Sequence, residues 1–329
     1  MLVVESVDEG HMISVVAMLR EILTGPERDA VSIVEDLDFP NEFPVTMRLE
    51  AWWSVFEASW FTQAICAKAF TVWFQPVVDT STRRILGHEC LIRLTKGHRR
   101  DGAEIIAAAA HHDLRGFDAY ARRLAIQTIS AQTGKEQRAA TYFVNFMPET
   151  IHRPADCLGE TIRVLNETGL PSKNFVMEAV QSNRNPDVAH LRQIRDYLHN
   201  HAVRFALDDV AADAEAFRMI DELRPDYIKL EKRLLHRMDR GDSDAAVRRL
   251  VEVAEPLGVR VIAKGVERAS TVQRLQQAGV TCMQGYLFGS PSPEVSETAM
   301  RQANEGLANF PEAAVVLPER REAQVSLGY

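Results

Sequence analysis

The sequence predicts an α/β protein: a TIM-like (β/α)8 barrel with an antiparallel first strand, preceded by a helical segment. Three observations predict it. From residue 70, eight short runs rich in β-branched residues alternate with amphipathic helical stretches, the pattern of a parallel sheet closed on itself. No run is followed by a GxGxxG or GxxxxGK[ST] turn, which argues against an open doubly wound sheet. Only residues 79–84 separate the first two runs; that is a hairpin-length connection, so the first strand opposes the rest.

The strand-like runs are 71–78, 85–92, 141–146, 174–180, 203–208, 226–230, 259–264 and 281–287. Helical patterns occupy 104–112, 118–133, 158–168, 187–200, 213–223, 243–257 and 269–278. Residues 1–69 read as helical. Val15, Leu19 and Ile22 share one face of a first helix that stops near Gly25-Pro26. After Pro40 and Pro44, Trp52, Phe56 and Trp60 recur at four-residue steps beside Trp53 and Phe61, the mark of a packing face more than of an aromatic ligand cage. Residues 1–56 are thus expected to form an N-terminal helical extension docked on the 57–305 barrel. Residues 306–329, with Pro311, Pro318 and a charged stretch, read as a loosely attached tail.

The chain has 329 residues, 46% hydrophobic and 26% charged, so a disordered, collagenous or disulfide-built protein is excluded. A net charge of −8 argues against a nucleic-acid polymer or an anionic membrane as the main partner. Cys66, Cys90, Cys157 and Cys282 are far apart, as in a reduced cytoplasmic protein, and offer no zinc spacing. No apolar run reaches the length of a membrane span, and the N-terminal residues lack the basic and long apolar regions of a signal peptide.

Polar residues stand at the end of nearly every strand: Glu89, Asn145, Glu178, Asp208 and Asp209, Lys229, Lys264 followed by Glu267, and Gln284. A buried polar group is costly without a partner, so this recurrence points to one shared site at the barrel mouth. Carboxylates with an Asn carbonyl are hard oxygen donors, suited to Mg2+ or Mn2+. Two such ions beside a lysine would suit in-line attack of water on a phosphodiester.

The motifs resemble those of the EAL-domain family of bacterial cyclic di-GMP signalling, over roughly residues 57–300 and in order. Phe74-Gln75-Pro76-Val77-Val78 is similar to YQPIV, and Glu89-Cys90-Leu91-Ile92-Arg93 to EALLR. Val144-Asn145-Phe146 is similar to VNLS, Met177-Glu178-Ala179-Val180-Gln181 to LEITE, and Leu207-Asp208-Asp209-Val210-Ala211 to LDDFG. Tyr227-Ile228-Lys229-Leu230-Glu231 resembles the LKID segment, Ala263-Lys264-Gly265-Val266-Glu267 resembles AEGVE, and Gln284-Gly285-Tyr286 matches QGY unchanged. The resemblance implies metal-ligand positions at Glu89, Asn145, Glu178, Asp208 and Asp209. It implies catalytic positions at Lys229, which helps orient water, and at Glu267. Gln75, Leu91, Arg93 and Gln284 would lie near the dinucleotide, with Arg93 placed for a phosphate.

The departures carry as much weight. Lys264 stands where AEGVE has its first glutamate. A unit charge about 4 Å from another costs ~4 kcal/mol at an effective dielectric of ~20, and a divalent ion doubles that. Only loss of the Lys264 proton or a swing away avoids the penalty. Gln181 replaces the second glutamate of EITE, and the loop after Asp209 has lost its glycine pattern, so it is expected to enter its helix sooner. Two functions remain open. One is a degenerate EAL protein, inactive or nearly so, that needs no cofactor and acts by binding cyclic di-GMP, a protein partner or both, with a homodimer also admitted. The other is an active or slow phosphodiesterase that uses Mg2+ or Mn2+ and yields linear pGpG.

Overall fold

A computed structural model describes residues 9–35, 45–95, 102–132, 140–180, 187–239 and 244–295. The expected 306–329 tail and Gln181 lie outside these residues. The chain divides into two compact units, one of residues 1–70 and 94–114, the other of residues 71–93 and 115–329.

The second unit carries the barrel. Strands β3 (Phe70–Asp79), β4 (Arg84–Leu94), β5 (Thr141–Phe146), β6 (Phe175–Ala179), β7 (Arg204–Val210), β8 (Tyr227–Leu230), β9 (Arg260–Lys264) and β10 (Cys282–Gln284) close in the order β10-β3-β4-β5-β6-β7-β8-β9. Strand β3 pairs antiparallel with β10, while β4 to β10 pair in parallel wherever they adjoin. Helices α5 (Leu114–Gln132), α6 (Pro154–Thr168), α7 (Val188–Asn200), α8 (Ala214–Leu223), α10 (Asp244–Ala254) and α11 (Ala269–Gln277) follow the strands as expected. Helix α9 (Lys232–Asp239) was not foreseen: only three of its eight residues, Leu234, Leu235 and Met238, are apolar and buried, too few for a periodic signal.

Alternation along each strand separates two apolar regions. Outward-facing residues such as Tyr142, Val144, Phe146, Phe175, Leu207 and Ile228 join one large core with the helices. Inward-facing Val77, Phe143, Val176, Ala206, Tyr227, Ile262 and Cys282 form a second cluster that plugs the barrel, as closed eight-stranded barrels require. His88 is buried in the outer layer, stacked on Tyr142 at 6.0 Å, and neither ring nitrogen has a hydrogen-bond partner. Burial holds its pKa down to about 4.

The first unit corrects the expectation of an all-helical N-terminus. Helices α1 (Glu9–Ile22) and α2 (Gly25–Asp29) are followed by a two-stranded antiparallel sheet of β1 (Ser32–Glu35) and β2 (Val45–Arg48), and then by α3 (Leu49–Cys66). The β-branched Ser-Ile-Val-Glu and Val-Thr-Met-Arg runs were too short to outweigh the flanking helical pattern. Val16, not Ile22, faces inward from α1: Val16, Leu49 and Trp53 form a small core, while Ile22 is 65% exposed. Trp53 and Phe61 are the buried aromatics of α3; the side chains of Trp52 and Phe56 lie outside the described set. Phe61 stacks on His112 at 5.3 Å and lies 5.9 Å from Phe70. Among the described residues, no helix is long and apolar enough to cross a membrane.

Phe143 sits fully buried in the inner plug. Phe143→Ala should therefore lower unfolding free energy by ~3–5 kcal/mol, read as a fall in the urea midpoint.

Candidate functional site

The site is the second inward-facing layer of the barrel. On six parallel strands the inward polar residue comes two positions after the inward apolar one: Phe143 then Asn145, Val176 then Glu178, Ala206 then Asp208, Tyr227 then Lys229, Ile262 then Lys264, Cys282 then Gln284. On β3 the order is reversed, Gln75 preceding Val77, because that strand runs the other way. Two-residue periodicity and strand direction thus bring these polar groups to one level.

Lys229 lies at the bottom of this layer, fully buried, with its Nζ 2.6 Å from Glu178 Oε2, 3.0 Å from Glu89 Oε2 and 5.2 Å from the Phe143 ring centroid. Glu89 also accepts from Asn145 Nδ2 at 3.1 Å and from Gln284 Nε2 at 2.6 Å. Gln284 Nε2 is 3.0 Å from Gln75 Oε1, and Gln75 Nε2 donates to the Gly289 carbonyl at 3.2 Å. Lys264 Nζ lies 2.5 Å from Asp208 Oδ1 and 2.7 Å from Asp209 Oδ1.

The last pair of contacts needs an irregular strand. Successive residues of a regular strand point to opposite faces, so Asp208 and Asp209 should not reach one ammonium. The β7–β8 register shifts between Leu207 and Val210, and Asp209 takes a left-handed φ of +51°. A bulge of this kind re-aims a side chain, and Asp is among the residues that tolerate the left-handed region. The loop after it enters α8 at Ala214, with the Asp213 carboxylate capping the Ala216 amide at 2.9 Å.

Electrostatics follow from burial and pairing. Burial opposes the charge of Lys229, but Glu178, Glu89 and Asp208 outweigh it and raise its pKa. Burial likewise opposes Lys264, and the charges and hydrogen bonds of Asp208 and Asp209 raise it. Both lysines therefore stay protonated, which removes proton loss as the way for Lys264 to accommodate a nearby cation. Burial would lift Glu89, yet the Lys229 charge and its hydrogen bonds bring it down to about 2. Glu178 is pushed up by burial against the pull of Lys229.

Gln75, Glu89, Asn145, Glu178, Asp208, Asp209, Lys229, Lys264 and Gln284 thus meet as the sequence anticipates. Glu267 does not join them; it is exposed beyond β9 and makes none of these contacts. Leu91 is half-buried, and Arg93 Nη1 donates to the Ile92 carbonyl at 2.7 Å. A second polar cluster went unread in the sequence. Buried Asp118 and Arg122 on α5 pair closely; Asp118 accepts from the Met147 amide at 3.1 Å and from Thr150 Oγ1 at 2.8 Å. Arg122 reaches Thr161 Oγ1 at 3.1 Å and the Cys157 carbonyl at 3.2 Å. This network fastens the chain just after β5, two residues from Asn145. An i,i+4 pair of opposite charge looks like a surface ion pair in sequence; the buried Ala125, Ile126 and Ile129 on the same face could have signalled otherwise.

A pair of divalent ions does not fit this arrangement, because Lys264 holds both Asp208 and Asp209 and Lys229 holds Glu89 and Glu178. No group of three or more His, Cys, Asp or Glu among the described residues is disposed to hold a metal. Asn145 Oδ1 and Glu178 Oε1 are nonetheless buried oxygens without a hydrogen-bond partner.

Residues 58–291 match the EAL domain family. The cyclic di-GMP phosphodiesterase PdeL of Escherichia coli K12 is 30% identical over 146 residues, 43% of this chain and 40% of PdeL; the chain thus spans less than half the length of that relative. A standalone EAL protein of Vibrio cholerae O395, solved with cyclic di-GMP bound, superposes with a TM-score of 0.60 at 25% identity, covering 70% of this chain and 97% of that one. BlrP1 of Klebsiella pneumoniae, solved with manganese and cyclic di-GMP, gives a TM-score of 0.60 at 21% identity over 87% of this chain and 67% of its own.

Two outcomes are expected of the buried pairs. Lys229→Met leaves Glu178 and Glu89 buried without their counter-ion and should cost ~3–5 kcal/mol of stability in urea denaturation. Because the folded pKa of Glu89 lies below its ordinary 4.5, its stabilisation is complete above that value and fades as pH falls toward 2. The stability gap between wild type and Glu89→Gln should accordingly narrow on going from about pH 5 to about pH 3.

With its barrel closed, its inward polar layer assembled and residues 58–291 matched to the family, the chain belongs to the EAL domain family.

Proposed function

We propose that this chain is a degenerate EAL signalling protein that binds cyclic di-GMP without hydrolysing it and passes the signal to a protein partner. The observation that carries the reading is the Lys264 ammonium seated on both Asp208 and Asp209. With that cation in place, no second ion can activate water there at an acceptable electrostatic cost. Binding rests on different residues. Gln75 and Gln284 are already oriented by each other, by Glu89 and by the Gly289 carbonyl, so little ordering is left to offset a ligand's gain. Arg93 is the residue for a phosphate, since a guanidinium can grip two oxygens at once. The nucleotide would need no metal. The same proposal places the protein in the bacterial cytoplasm, with residues 1–56 as an extension, 57–305 as the ligand-binding barrel and 306–329 as a tail.

A second reading, an active metal-dependent phosphodiesterase giving pGpG, is favoured by the unpartnered Asn145 Oδ1 and Glu178 Oε1, acceptors of the type a hard cation takes. It requires Lys264 to leave its aspartates.

Calorimetric titration with cyclic di-GMP separates the two. The first reading expects the same affinity with Mg2+ and with EDTA, a loss of one to two decades for Arg93→Ala (~1.5–3 kcal/mol), and no pGpG by chromatography. Turnover at ~1 s−1 or faster would overturn it in favour of the second.

A further inference from the structure

Bringing Asp208 and Asp209 to one point creates a demand for positive charge. Their Oδ1 atoms both lie within 2.7 Å of Lys264 Nζ, and the bulge with its left-handed Asp209 turns the second carboxylate toward the same ammonium. Two like charges converging in a half-buried cleft repel each other unless a cation stands between them. A dissolved divalent ion could supply it, at an occupancy set by its concentration. Lys264 supplies it from β9, a strand paired on both sides, with β8 and with β10. A tethered group acts at a local concentration that dilution does not lower.

We propose that Lys264 is an internal cation that takes the place of a divalent ion between Asp208 and Asp209, keeps such ions out of the cluster, and holds the bulged end of β7 in shape without them. Lys264 is then the residue that decides metal specificity at this site: present, the cluster is closed to Mg2+ and Mn2+; removed, the two aspartates become donors. A carboxylate at 264 adds a third oxygen donor on the neighbouring side and completes a site for a hard ion. The inference deepens the reading above and rests on it for the identity of the cluster, but it uses no property of the nucleotide.

The test is Mn2+ binding by the full chain, counted by electron paramagnetic resonance of the free ion and checked by the effect of Mn2+ on the melting temperature. Wild type should take up no Mn2+ at millimolar concentration and melt at the same temperature with or without it. Lys264→Glu should bind Mn2+ at least about 100-fold more tightly and melt higher in its presence than in EDTA. Lys264→Met, which removes the charge and adds no donor, should melt below wild type in EDTA and recover part of the difference with Mn2+. If Lys264→Glu does not fold even with Mn2+, Lys264→Met decides alone. The inference is overturned if wild type binds Mn2+ as tightly as Lys264→Glu. It is equally overturned if Lys264→Met is as stable as wild type and indifferent to Mn2+, since Lys264 would then merely fill space. Wild type that ignores both Mn2+ and cyclic di-GMP would sink the functional reading and leave this inference standing. Wild type that binds Mn2+ as tightly as Lys264→Glu, yet binds cyclic di-GMP equally well in EDTA and yields no pGpG, would do the reverse.

Discussion

A layer of carboxylates inside a barrel survives only if its charge is answered, and here the answer is two lysines. Four carboxylates (Glu89, Glu178, Asp208 and Asp209) converge on the mouth and share the ammonium groups of Lys229 and Lys264. Stripping water from such groups costs several kcal/mol per ion, so the pairs must be close and nearly complete. The strand ends, the bulge in β7 and the side-chain amides of Asn145 and Gln284 are all arranged around that requirement. The inner apolar plug beneath excludes water and makes each pairing stronger than it would be at the surface.

The depth of the two lysines differs, and so does their freedom. Lys229 is sealed from solvent, walled by Phe143 below and by carboxylates above. Lys264 is nearer the opening, and its partner Asp209 is half-exposed. The deep pair behaves as part of the fold. The outer one belongs to the cleft, where an approaching ligand would meet it first.

Much of this was legible in the sequence because barrel strands obey a strict two-residue period. The eight runs, the hairpin before residue 84 and the polar residue at each strand end translate directly into a closed sheet with one polar level. What escaped depends on local geometry that no periodicity carries. The left-handed Asp209 looks like any other aspartate in a row. Asp118 and Arg122 look like an exposed helical ion pair until the chain after β5 is folded over them. Ser32 to Glu35 and Val45 to Arg48 are strands of four residues, below the length at which alternation can be read. Ile22 continued the apolar stripe of α1 by spacing, yet the first unit's small core ends at Val16 and Leu19.

The stacking of a polar level directly on an apolar one has a consequence for how such a protein can change over generations. Each strand presents its core residue and its site residue two positions apart, so a single inserted or deleted residue in β5 would drive Tyr142 and Val144 into the lumen and expel Phe143 and Asn145 together. Neither layer could drift by length without wrecking the other. Substitution at one strand end, by contrast, leaves every register intact and alters only the charge presented at the mouth. The scaffold is therefore rigid toward insertion and permissive toward exchange, and a cation such as Lys264 can stand at a strand end while the barrel around it stays closed.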